Sequence, residues 1–201
     1  LVVIFVPMIF IVLQHETGSA LVYFSFFLMF YREGMPGSVL LTGVAMVVYF
    51  VVGIRYADVT MWYTPTSVGR FSVLLMIMLF STAMVRVYCN DRQRTIQFLT
   101  VSVGSSLVLL LFSLFVIPFD ITKVMMAVCG LLILYLVWLW LSTRFRNYLW
   151  IALFALGSLV FYSGADYVLN NMMQPHQRVR INVLLGLEED LKGAGYNVHQ
   201  S

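Results

Sequence analysis

The stretch "VMMAVCGLLILYLVWLWLST", Val124 to Thr143, decides the fold. It runs for the length that a helix needs to cross the hydrocarbon core, about 20 residues, and contains no Asp, Glu, Lys, Arg or His. A surface helix of a soluble protein keeps one polar face; here no face is polar. The rest of the chain agrees. Hydrophobic residues make up 61% of it and charged residues 10%, against about 25% charged in an ordinary soluble domain. Such a chain cannot cover itself with polar surface, and a bilayer is the solvent it fits.

Working outward from this segment, the apolar runs predict an all-α, polytopic transmembrane helix bundle of about six to seven spans. Before it stand Ser38–Ile54, Phe71–Tyr88 and Phe98–Ile117, and after it Leu149–Asn170. Nearer the start lie Ser19–Tyr31, which is short for a span, and Leu1–Leu13, which reads as the far end of a helix whose beginning is absent. The chain opens on Leu1 inside an apolar run and shows no signal-peptide pattern, so we read it as a fragment. Pro36, Pro65 and Pro118 mark loops or helix ends, where a missing N–H does little harm. Trp62, Tyr63, Tyr148, Trp150 and Tyr162 fall near span ends, where amphipathic rings favour the headgroup zone.

Charge gives the sidedness. The net charge is +3, and no basic patch is dense enough for nucleic acid. One alternating set of loops carries Arg32, then Arg86, Arg92 and Arg94, then Arg144 and Arg146. The other carries Arg55, Arg70 and Lys123. Cytoplasmic loops hold the excess of Arg and Lys, so the first set is expected inside. Gln14 and the polar tail after Asn170 then lie outside. Cys89 and Cys129 fall within or beside apolar segments and do not suggest a disulfide framework.

Four polar stretches are candidates for chemistry, each with a plainer reading beside it. In "QHETGSALV" Glu16 either points into a polar cavity or belongs to a tight turn whose small residues let helices pack closely. Asp166, near the outer end of the last span, is either functional or interfacial. In "HQRVRI", Gln177, Arg178 and Arg180 either anchor the chain to headgroups or recognise a phosphate, which the planar guanidinium bonds through two N–H groups. In "LEEDLKGAGYNVHQS", Glu188, Glu189 and Asp190 form a solvated acidic loop or contain a general base. Gly193 and Gly195 permit a sharp turn or a close approach to a ligand.

Three of these stretches, forming two separated motifs, together resemble the SEDS family (shape, elongation, division and sporulation), whose members include RodA and FtsW. The family's "QPDLGTAL" is matched by "QHETGSAL", Gln14–Leu21. Its "YQRxRIxxFLxP…DPxGxGYQxxQS" is matched by "HQRVRINVLLGLEEDLKGAGYNVHQS", His176–Ser201. Glu16 stands where the family usually has Asp, His15 replaces Pro, and Asn197 replaces Gln. The likeness covers somewhat under half of the chain. It places a family core at about 1–31 and 149–170, inserted spans at about 38–148, and the start of a large, truncated extracellular catalytic loop at 171–201. Four added spans keep the loop on the same side. The enlarged form and "GAGYN" are closest to RodA-like proteins of the Bacteroidetes type.

The resemblance implies an inverting peptidoglycan glycosyltransferase that polymerises lipid II during cell elongation and rod-shape determination. The family also serves cell division. Asp190 aligns with the family's essential acid and is the expected catalytic residue. Gln177, Arg178, Arg180, Lys192, Gly193, Gly195, Tyr196 and Glu16 are expected to bind substrate. No cofactor is called for, though a divalent cation, Mg or Mn, would suit a pyrophosphate leaving group; its ligands are unknown. The implied partners are lipid II, a class B penicillin-binding protein (a transpeptidase) and membrane proteins of the elongation complex. The implied location is the bacterial inner membrane, multi-pass, with the catalytic loop on the periplasmic side. Two other classes remain: a lipid-linked precursor flippase, and a noncatalytic scaffold of a cell-wall synthase. A flippase should depend on polar groups at the midplane, a polymerase on the outer loop.

Overall fold

The computed structural model describes residues 37–57, 59–61, 64–115 and 118–167, together with 29, 32 and 34. Within them the chain is helical: α1 (Gly37–Arg55), α2 (Val68–Met84), α3 (Arg92–Phe115), α4 (Ile121–Thr143) and α5 (Arg146–Tyr167). A π-turn over Val85–Cys89 continues α2. Five segments are long and apolar enough to cross a membrane: Gly37–Arg55, Val68–Cys89, Arg92–Phe115, Ile121–Thr143 and Arg146–Ala165. The expected spans Leu1–Leu13 and Ser19–Tyr31 and the loop at 171–201 lie outside the described residues. The chain divides into a unit ending at Ala45 and a unit from Met46 onward; the packing below belongs to the second.

The apolar runs locate the helices, but capping groups set their ends. The expected start at Phe98 is corrected to Arg92. Asp91 Oδ1 accepts the Arg94 N–H at 3.0 Å, and this N-cap satisfies an orphan donor of the first turn, so α3 begins in polar sequence. Likewise Asp120 Oδ1 accepts the Thr122 N–H at 3.0 Å, and α4 starts at Ile121 rather than Val124. At its other end Arg144 takes a left-handed conformation (φ 57°) and its N–H donates to the Trp140 carbonyl at 2.7 Å. Asn90 closes the π-turn in the same way, with φ 49°.

Helix α2 is the central element and packs against α3, α4 and α5. Over its best apolar window 56% of the residues are buried, against 22% for α3. Val73, Leu74, Ile77 and Met78 of α2 meet a core that includes Met125 and Leu136 of α4 and Ile151 and Ala155 of α5, all buried. Helix α3 turns a stripe of Phe98, Ser102, Ser106 and Ser113 inward. Its exposed residues include Leu107, Val108, Leu111 and Phe112. Small residues allow close helix approach where lipid supplies no hydrophobic drive, and the hydroxyls are satisfied locally. Ser102 donates to the Phe98 carbonyl at 2.7 Å and Ser106 to the Ser102 carbonyl at 2.6 Å.

Short turns make successive helices antiparallel, and contacts fix which turns share an end. At one end the segment between α1 and α2 folds back on itself. Val68 N–H donates to the Val59 carbonyl at 2.8 Å and Met61 N–H to the Thr66 carbonyl at 2.9 Å. Gly69 N–H reaches the Tyr56 carbonyl at 2.9 Å. A Cβ at Gly69 would sit 2.8 Å from the Gly53 carbonyl oxygen, so only glycine permits this approach. Thr66 Oγ1 then accepts the N–H of Ile121 at 3.0 Å, which joins this hairpin to the start of α4. At the opposite end the α2–α3 and α4–α5 turns meet.

Candidate functional site

Every residue that the sequence nominates for catalysis or substrate binding lies outside the described residues. These are Glu16, Gln177, Arg178, Arg180, Asp190, Lys192, Gly193, Gly195 and Tyr196. Asp166 lies in the last turn of α5 by its backbone. The described bundle contributes a polar cluster that sequence reading missed.

That cluster forms where the α2–α3 and α4–α5 turns meet. Asp91 is its hub. Besides capping α3, its Oδ2 accepts the Tyr148 hydroxyl at 3.4 Å and lies 3.8 Å from Arg94 Nε. Arg94 Nη1 donates to the Tyr135 hydroxyl at 2.7 Å, and that hydroxyl in turn donates to Gln97 Oε1 at 3.5 Å. Asn147 Nδ2 donates to the Tyr88 carbonyl at 2.7 Å, and Arg86 Nη1 to Asn90 Oδ1 at 2.8 Å. Three helices and both turns are thus tied by side chains. Phe98 also packs on the Tyr135 ring, centroids 5.4 Å apart, and Tyr135 stacks on Trp138 at 5.8 Å.

Two expectations change here. Tyr148 does not face the headgroup zone: it is buried, with its hydroxyl on Asp91. Tyr162 is buried as well. Trp150 remains an exposed ring near a span end, 64% accessible. Trp62 and Tyr63 lie outside the described residues. Cys89 and Cys129 are both free thiols. The one legible sign of the cluster was Asp91 in "CNDRQRT", an acid standing before a helix that opens with basic residues; its partner Tyr148 is 57 residues away and carries no local signal.

The interior offers a void of about 10 Å³ lined by residues that include Met78, Ser81, Phe98, Cys129, Leu136 and Ala155. A buried water needs about 10–15 Å³ and two or more polar partners. Ser81 Oγ is already spent on the Ile77 carbonyl at 2.8 Å, so the void is a packing gap and not a binding site. Among the described residues no group of three His, Cys, Asp or Glu side chains comes together to hold a metal ion. Glu188, Glu189 and Asp190 lie outside them.

The described residues thus define an all-helical bundle with five candidate membrane spans and two chemically different ends. No family model, curated protein or solved structure matches the chain.

Proposed function

We propose that this chain is part of a SEDS-type glycosyltransferase that polymerises lipid II at the outer face of the bacterial inner membrane. The observation that carries the reading is "HQRVRINVLLGLEEDLKGAGYNVHQS", with "QHETGSAL" earlier in the chain and in the family's order. The bundle supports the required sidedness. Arg86, Arg92, Arg94, Arg144 and Arg146 gather at the end where the two short turns meet, whereas Arg55, Arg70 and Lys123 stand at the other. The richer end belongs in the cytoplasm. Helix α5 starts at that end and runs to Tyr167 at the opposite one, which supports an outside position for the stretch that follows.

In the proposed reaction the 4-hydroxyl of the GlcNAc on one lipid II attacks the anomeric carbon of another with inversion. The new glycosidic bond forms as the bond to undecaprenyl pyrophosphate breaks. Asp190 accepts the hydroxyl proton, since a sugar hydroxyl is a weak nucleophile at neutral pH. Arg178 and Arg180 offset the charge that develops on the pyrophosphate. A divalent cation, if one binds, would supply the same charge compensation. General-base help of this kind contributes about 10²- to 10⁴-fold.

The flippase reading is weaker on one observation. Within the described spans from Met46 to Tyr167, the Asp, Lys and Arg residues all occupy positions near helix ends and none a helix midpoint, the depth at which transporters place their binding groups. The test is polymerisation of purified lipid II by the intact protein and by Asp190→Asn. Glycan strands from the first and none from the second support the proposal. Equal polymer from both would refute the assignment of Asp190, and transbilayer movement of lipid II without polymer would favour the flippase.

A further inference from the structure

The end of the bundle opposite the proposed catalytic loop carries more positive charge than its own contacts use. Among the described residues Asp91 is the only carboxylate there, and Arg94 and Tyr148 already engage it. Arg86, Arg92, Arg144 and Arg146 are all exposed. Among the described residues, Arg86 alone of these four has a side-chain partner, the neutral Asn90. Arg144 projects from a left-handed position (φ 57°) that usually falls to Gly or Asn. The Asn147–Tyr88 and Tyr148–Asp91 bonds clamp the two turns together, so these guanidinium groups stand on one fixed platform. Trp138 and Trp150, 56% and 64% accessible, lie about one to two turns from Arg144 and Arg146 towards the span interior, the depth of an interfacial aromatic belt.

We propose that this platform binds the phosphate headgroups of anionic phospholipid, holding a shell of such lipid around the turn end of the bundle. The guanidinium fork suits phosphate oxygens through two parallel N–H bonds, and the exposed indoles give the acyl chains and glycerol backbone an apolar seat. Lipid is the occupant because the four arginines ring helices whose adjoining outer faces are apolar, among them Val87, Leu141 and Phe145. A dissolved anion would use the charges and leave that surface bare.

The test uses the intact protein in neutral detergent, with tryptophan fluorescence as the readout, because Trp138, Trp140 and Trp150 all lie near this end. Brominated phosphatidylglycerol is expected to quench at a several-fold lower mole fraction than brominated phosphatidylcholine. Replacing Arg86, Arg92, Arg144 and Arg146 by Gln should abolish that preference, and high salt should weaken it. Arg55→Gln with Lys123→Gln, at the opposite end, should leave it unchanged. Inorganic phosphate at a matched concentration should not displace the lipid. Should the fourfold variant fail to fold, the pairs Arg86→Gln/Arg92→Gln and Arg144→Gln/Arg146→Gln read the same effect in part. Equal quenching by the two lipids in the wild type would overturn the proposal. So would a preference that survives loss of the arginines, that falls equally with Arg55 and Lys123, or that inorganic phosphate removes.

Discussion

The backbone N–H of Ile121 donates a 3.0 Å hydrogen bond to the hydroxyl of Thr66, across 55 residues of sequence. Both residues are fully buried. The bond satisfies a donor at the start of α4 that the helix itself cannot pair, and it docks the α1–α2 hairpin onto that helix. Thr66→Val keeps the shape and removes the acceptor, leaving the N–H buried and unpaired. The expected loss is about 1–3 kcal/mol, measured by dodecyl sulfate-titrated unfolding in mixed micelles. Thr66→Ser, which keeps the oxygen, should recover most of it.

Asp91 joins the cap of α3 to the α4–α5 turn. Asp91→Ala removes the cap and leaves the buried Tyr148 hydroxyl without its acceptor. A cap alone is worth about 0.5–2 kcal/mol, so the same unfolding measurement should show a loss at or above that range. Asp91→Asn retains an acceptor for the Arg94 N–H and should cost less than the alanine.

Gly69 and Gly104 make a paired test of helix contact. A Cβ on Gly69 would meet the Gly53 and Tyr56 backbones at 2.8–2.9 Å, whereas one on Gly104 meets nothing within 4 Å. Gly69→Ala should therefore destabilise by about 1–3 kcal/mol, as overpacking does. Gly104→Ala should be neutral or stabilise by up to about 1 kcal/mol, the helix preference of Ala over Gly.

Sidedness can be read in intact cells. In a background with Cys89 and Cys129 replaced by Ser, Thr60→Cys lies on the α1–α2 loop and Gln93→Cys at the arginine-rich end; both positions are exposed. A thiol reagent that cannot cross the membrane should label Thr60→Cys and spare Gln93→Cys until the cells are opened. The reverse pattern would place the proposed catalytic loop in the cytoplasm.

The number and rough position of the five described helices could be read from hydropathy, because a span of about 20 apolar residues admits few alternatives. Helix starts were less legible: Asp91 and Asp120 set them through side-chain caps, and α3 began six residues ahead of the apolar run at Phe98. Which face of each helix is buried was not legible. Val124–Thr143 is apolar all round, and only the serines of α3 at helical spacing hinted at a contact face. The Asp91–Tyr148 bond and the Thr66–Ile121 bond depend on which turns meet in space, and no local pattern encodes that. The proposed catalytic stretch is the opposite case. Its composition alone reads as an acidic loop, and it gains meaning only as the ordered motif from Gln177 to Ser201.

The most direct test is the rate at which the intact protein polymerises purified lipid II when each member of the acidic triplet is neutralised in turn. The account predicts that Asp190→Asn loses about 10²- to 10⁴-fold, while Glu188→Gln and Glu189→Gln stay within a few-fold of wild type. Polymerisation by Asp190→Asn at the wild-type rate, or an equal loss from all three substitutions, would contradict it.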